Sequence, residues 1–169
     1  SMQSSNFVAT LMCVDSTGTL KSTFDTDGIL YYNHNQQFTS ANDMLLDEDG
    51  KLVVAGVTFY GSSADYRNLV FRLNPNGSFD NSFNTNGRFE FKTDSVNTIS
   101  SIAKDANNRI ILGGSSALNL GSSKMTFHRL NTNGSLDQTF NPGGVYKLSW
   151  GFDASVQQVL LQTDGKIVG

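Results

Sequence analysis

Apolar and polar positions along this chain fall into short runs, many alternating with a period of two, and the runs recur in a fixed order. In the middle of the chain, Phe38–Asp47 (FTSANDMLLD) mixes apolar with small polar residues, as suits an inner strand. Asp49-Gly50 then offers a tight turn into the β-branched run Lys51–Gly56. A loop of Gly, Ser, Tyr and Asp leads to Asn68–Leu73, Asn76-Gly77 turns the chain, and Arg88–Phe91 alternates polar and apolar like an exposed outer strand. The same order returns as Val96–Lys104, Arg109–Gly114, Thr126–Leu130 and Val145–Leu148. Asn107-Asn108 replaces Asp-Gly in the second of these turns, and Asn accepts the left-handed backbone such turns need. No stretch carries a helical period, so the pattern predicts an all-β chain.

The recurrence is a repeat. Leu11–Tyr32, Val70–Phe91 and Phe127–Leu148 are copies of one another, with 59 residues from Gly18 to Gly77 and 57 from Gly77 to Gly134. Phe24, Phe83 and Phe140 keep these offsets, as do Gly28, Gly87 and Gly144. A period of this length means stacked supersecondary units that bury faces against one another. The units run over about 7–37 together with 152–169, 38–95 and 96–151, inside a single domain spanning 3–169. Ser1-Met2 reads as a cloning remnant. Arg72 and Asp80 recur as Arg129 and Asp137, whereas the first copy has Cys13 and Lys21, so both members change together. Ion pairs Arg72–Asp80 and Arg129–Asp137 are expected, because one buried partner without the other is costly. Phe24, Phe83 and Phe140 are expected in the core between units.

At these residues the chain resembles the delta-60 repeat, a β-propeller family of unknown function. The family pattern of Arg-Leu-Asn-x-x-Gly-Ser-Leu-Asp, then Phe and Gly, fits Arg72–Gly87 and Arg129–Gly144. Its Asp-Gly-Lys-Ile-Val-Val-Ala-Gly pattern fits Asp49–Gly56 and, cut short, Asp164–Val168. The resemblance implies blades of four antiparallel strands and a bacterial secreted or surface protein, and it brings no functional residue with it. Strand order adds a question of closure. Phe7–Val14 corresponds to the third strand of a blade and Lys166–Val168 to the second, so the chain holds about three blades with one split between its termini. Propellers close with about four to eight blades. Either two copies join head to tail as a six-bladed ring, or the chain is part of a longer one.

Composition narrows the partners. With 169 residues, 38% hydrophobic and only 16% charged, the chain can bury one sizeable core, and its net charge of −3 offers no basic field for nucleic acid or anionic lipid. The lone Cys13 excludes an internal disulfide framework or a multi-cysteine zinc site and reads as a small buried hydrophobe. No apolar run approaches the roughly 20 residues of a membrane helix, and none of these residues is expected to form a secretory leader, which could have been cut away.

Candidate chemistry is sparse. The turns at Asp25–Gly28, Asp47–Gly50 and Asn84–Gly87 resemble calcium loops but lack the later bidentate Glu, and the turn reading is preferred. His34 and His128 occupy non-equivalent positions without a catalytic or metal motif beside them. Trp150, with Tyr146 and Phe152 nearby, suits packing between blades better than a sugar-stacking platform. Asn76-Gly77-Ser78 and Asn133-Gly134-Ser135 match a glycosylation pattern but sit at the repeat turn, where Asn-Gly serves the backbone.

No catalytic, cofactor-binding or metal-binding residue is therefore assigned, and no cofactor is expected. The expected function is a non-enzymatic, exported binding or structural module that contacts protein or glycan through the loops Val57–Arg67 and Ser115–Lys124. The alternative is a polysaccharide lyase or hydrolase at the central mouth, using Asp43, Asp94 and Asp153.

Overall fold

The computed structural model describes residues 8–61, 65–118 and 121–169. Phe7, residues 62–64 of the first loop and residues 119–120 of the second lie outside the described residues. Twelve strands are assigned among those described: β1 Ala9–Met12, β2 Ile29–Tyr32, β3 Phe38–Leu46, β4 Leu52–Phe59, β5 Tyr66–Leu73, β6 Arg88–Phe91, β7 Val96–Lys104, β8 Ile110–Ala117, β9 Lys124–Leu130, β10 Val145–Leu148, β11 Leu160–Leu161 and β12 Ile167–Val168. The helical content described is two single 3₁₀ turns, at His34–Gln36 and Pro142–Gly144.

The strands form two complete antiparallel sheets, β3-β4-β5-β6 and β7-β8-β9-β10, flanked by the two-stranded sheets β1-β2 and β11-β12. Two, four, four, two is the count the repeats imply. The middle strands β4, β5 and β8 are the most buried, because each is covered on both faces and both edges. Their near-continuous apolar sequences reflect that double burial.

Adjacent blades pack through a cluster of Val53, Ala55, Val70 and Phe83 from one sheet against Ile99, Ile102, Ile110, Leu112 and Leu130 of the next. Leu11, Phe24 and Leu30 pack likewise against Val54, Leu69, Phe71 and Leu73. Each inner strand carries a bulge, between Ala41 and Asp43 in β3 and between Ile99 and Ser101 in β7. The bulge residue then holds the next blade. Asp43 Oδ2 accepts the Ile102 N–H at 2.8 Å, and Ser101 Oγ accepts the Val159 N–H at 3.0 Å. Glycine is obligatory opposite each bulge: a Cβ on Gly56 would lie 1.9 Å from Ser40 O, and one on Gly114 2.0 Å from Thr98 O.

The expected ion pairs form. Arg72 Nε donates to Asp80 Oδ2 at 2.8 Å and Arg129 Nε to Asp137 Oδ2 at 2.7 Å. Each guanidinium also covers the repeat phenylalanine, Arg72 over Phe83 at 4.8 Å and Arg129 over Phe140 at 4.7 Å. Phe24 and Phe83 are buried as expected, but Phe140 is only half-buried, because among the described residues no repeat turn seats on it. Cys13 is likewise partly buried, against the first interblade cluster. Trp150 and Phe152 depart from the expected packing between blades: both are exposed, beyond the last complete outer strand.

Candidate functional site

Strand register places Phe38, Phe59, Tyr66 and Phe91 at one end of the first complete sheet. The β2–β3 and β4–β5 connections both emerge there, and they bring together a polar network built around Glu90. Its Oε1 accepts Arg67 Nη1 at 2.7 Å, while Oε2 accepts the Tyr60 hydroxyl at 2.6 Å and lies 2.8 Å from His34 Nε2. On the other side of the imidazole, His34 Nδ1 and the Tyr32 hydroxyl are 2.5 Å apart. Arg67 also donates twice to Asp65, at 3.0 and 2.8 Å, and Lys92 reaches Asp65 at 3.3 Å. A continuous chain of partners thus runs from Lys92 through Asp65, Arg67, Glu90 and His34 to Tyr32.

Electrostatics keep this network in one protonation state near neutral pH. Burial pushes the Glu90 carboxyl upward, but hydrogen bonds from Tyr60 and Arg67 outweigh it and hold the group below its ordinary value. Burial lowers the His34 imidazole, only partly opposed by the Glu90 charge. Burial raises the Tyr32 phenol to about 12, so it stays protonated and donates to a neutral His34. The side chain of Arg67 also lies 4.1 Å over the Tyr60 ring.

Beside the network, a groove of about 410 Å³ follows the outer strand β6, lined by His34, Asn84, Asn86, Arg88, Phe89 and Glu90. Thr85 and Asn86 are exposed at its far end. Arg88 is held over Phe79 at 3.8 Å and over Tyr32 at 5.4 Å, which fixes the groove wall.

This cluster does not repeat. At the equivalent end of the second complete sheet, Lys147 stands where Glu90 stands and donates to Asp94 at 2.8 Å, with Ser116 as second donor to that carboxylate at 2.5 Å. The rim charge is thus inverted between neighbouring blades.

The described parts of the expected contact loops fall on these two rims: Tyr60, Asp65 and Arg67 on the first, Ser116 and Lys124 near the second. The three inner-strand carboxylates are not brought together. Asp43 holds the Ile102 backbone, Asp94 is bound by Lys147 and Ser116, and Asp153 accepts the Ser123 N–H at 2.7 Å. Among the calcium-like turns, Asp27 accepts the Ile29 N–H, Asp47 accepts Lys104 at 2.6 Å and Asn84 donates to Gly134 O. Among the described residues no group of three or more His, Cys, Asp or Glu could hold a metal ion.

Sequence reasoning set His34 aside for want of a motif beside it and missed Glu90. The signal was their failure to repeat, Glu90 against Lys147 within otherwise matching units.

Comparison with known families agrees with the architecture. Residues 48–83 and 106–140 match the family model of a β-propeller domain of unknown function, DUF5122. Each matched stretch runs from the first turn of a complete blade, β3–β4 or β7–β8, to its repeat phenylalanine. No curated protein matches the chain.

Proposed function

We propose that this β-propeller domain is a non-enzymatic binding module that takes a neutral polar ligand, of the glycan class, in the groove along β6. The carrying observation is that the Lys92–Asp65–Arg67–Glu90–His34 network neutralises its own charges while leaving amides and an aromatic ring at the groove. The exposed Asn86 and Thr85 offer donors and acceptors without net charge, beside the Arg88 guanidinium stacked on Phe79, and Phe89 offers apolar surface, the combination sugar hydroxyls and ring faces require. The network's role is to hold the β4–β5 loop rigidly against β6, so that the groove is formed before ligand arrives. Export to the cell surface or medium is consistent with the family resemblance and with the small charged fraction.

The polysaccharide-cleaving alternative needs convergent carboxylates, and Asp43, Asp94 and Asp153 are engaged at three separate places. The Tyr32–His34 pair, with its phenol raised to about 12, is a poor base at neutral pH.

Titrating the chain with a panel of neutral oligosaccharides, followed by backbone amide NMR, tests the proposal. Shifts confined to Asn84–Glu90 and His34, with at least about tenfold weaker binding for Asn86→Ala, are expected. A panel producing no shifts there, or binding indifferent to Asn86→Ala, overturns it.

A further inference from the structure

The two half-blades carry complementary unfinished surfaces. Among the described residues β1 pairs only with β2 and β12 only with β11, whereas their counterparts β5 and β4 have partners on both sides. Beside β1 lies an apolar groove of about 360 Å³, lined by Leu11, Met12, Phe24, Met44, Leu46 and Leu52. Met44 is 54% exposed there, while its repeat counterpart Ile102 is 7% exposed beneath the preceding blade. At the opposite end, Leu160 and Val168 project into solvent, whereas Val53, the counterpart of Val168, is fully covered by the following blade. One end lacks an inner strand pair, and the other end is such a pair.

A second, independent mark lies at the repeat turn. Each turn glycine seats against the phenylalanine of the preceding unit. A Cβ on Gly77 would meet the Phe24 ring at 3.4 Å and one on Gly134 the Phe83 ring at 2.6 Å. Backbone bonds lock both contacts, from Asp25 N–H to Asn76 O at 2.9 Å and from Asn84 N–H to Asn133 O at 2.7 Å. Gly18 has no such neighbour within 4 Å among the described residues, and Phe140 is the half-buried ring without a turn upon it.

We infer that β11–β12 of one copy pairs with β1–β2 of a second, completing a four-stranded blade at each of two seams and closing a six-bladed ring of two chains. The register follows from the complete blade, where Leu52 faces Leu73 and Val53 faces Arg72. By repeat equivalence, Ile167 faces Val14 and Val168 faces Cys13 of the second copy. Val168 and Leu160 then fill the groove over Met44, and Phe140 seats on Gly18. The contact is head to tail, and two copies of about three blades each give six, within the four to eight with which propellers close.

Sedimentation equilibrium and disulfide trapping test this together. The chain is expected at twice its 18.4 kDa mass at micromolar concentration. Leu160→Glu, a change at an exposed position, should leave circular dichroism unchanged and weaken association at least about thirtyfold. Oxidised Val168→Cys should trap a covalent dimer through the native Cys13, with no trapping when Cys13→Ser is added. A wild-type monomer overturns the inference and leaves the seat to some other strand pair. A ladder of larger species overturns the closed ring, and trapping that survives Cys13→Ser overturns the register.

Discussion

The ring of Phe83 occupies the space that a side chain on Gly134 would need, with ring carbons 2.6 Å from the position of a Cβ there. The two residues belong to successive repeats, so this contact fixes how one blade sits on the next. Gly134 has φ +81° and Gly18 φ +84°, so alanine strains both backbones alike, but only Gly134 is also blocked by the ring. When dissociated chains are compared, Gly134→Ala is therefore expected to lower stability by at least about 2 kcal/mol more than Gly18→Ala. Urea midpoints of the two variants measure the difference. Equal midpoints would show that the ring moves aside freely.

Phe83→Ala leaves a cavity in a fully buried position and is expected to cost about 3–5 kcal/mol. Phe140→Ala, at the half-buried counterpart, should cost clearly less when dissociated chains are compared. Denaturant titration at low concentration separates the two.

Removing Arg72 leaves the buried Asp80 carboxylate with Lys51, at 2.9 Å, as its remaining ion-pair partner and uncovers Phe83. Burial raises the Asp80 carboxyl, but Ser82, Lys51 and Arg72 together hold it well below its ordinary range. Arg72→Ala is expected to cost at least about 2 kcal/mol, and adding Asp80→Ala should recover part of that loss. A double-mutant cycle in urea gives the coupling. Strict additivity would show that the paired change seen between repeats has another origin.

His128 is buried in β9 against Phe91, and burial, helped by the nearby Lys147 charge, lowers its imidazole to about 4. The unfolded chain takes up a proton near pH 6.5, while the folded chain refuses it until about pH 4. Stability is therefore expected to fall by roughly 3 kcal/mol as pH drops across that window, with the loss complete below it. His128→Leu should remove most of the fall between pH 6.5 and 4, leaving the smaller part that His34 contributes. Further decline at lower pH belongs to carboxylates such as Asp137, held at about 2 by the Thr139 hydroxyl and Arg129. Unfolding free energies measured at stepwise pH for both proteins check the sign and the window.

Glu90→Lys writes the second blade's residue into the first. The new ammonium would face Arg67 and lose the acceptors for Tyr60 and His34, so the β4–β5 loop should detach from β6. Faster amide exchange at Tyr60 and Arg67, with the interblade core unchanged, is the expected readout. Unaltered exchange would mean that Asp65 alone holds the loop.

The strands and their order were legible in the sequence, because alternation and turn residues act over a few neighbours. β6, β7 and β10 have the bounds their patterns predict. The Arg72–Asp80 contact was legible too, since both residues of the pair change together between repeats. The exposure of Trp150 and the half-burial of Phe140 were not legible, since neither residue's neighbours in the chain reveal whether a further blade lies over it. Nor was the Tyr32–His34–Glu90–Arg67 network, whose members come from three segments up to 58 positions apart and meet only when two sheets pack at a given angle. What the sequence determined is the repeating unit, because each unit's hydrogen bonds are largely its own. What only the tertiary structure decided is which side chains meet between units, because those contacts depend on how one twisted sheet rests on the next.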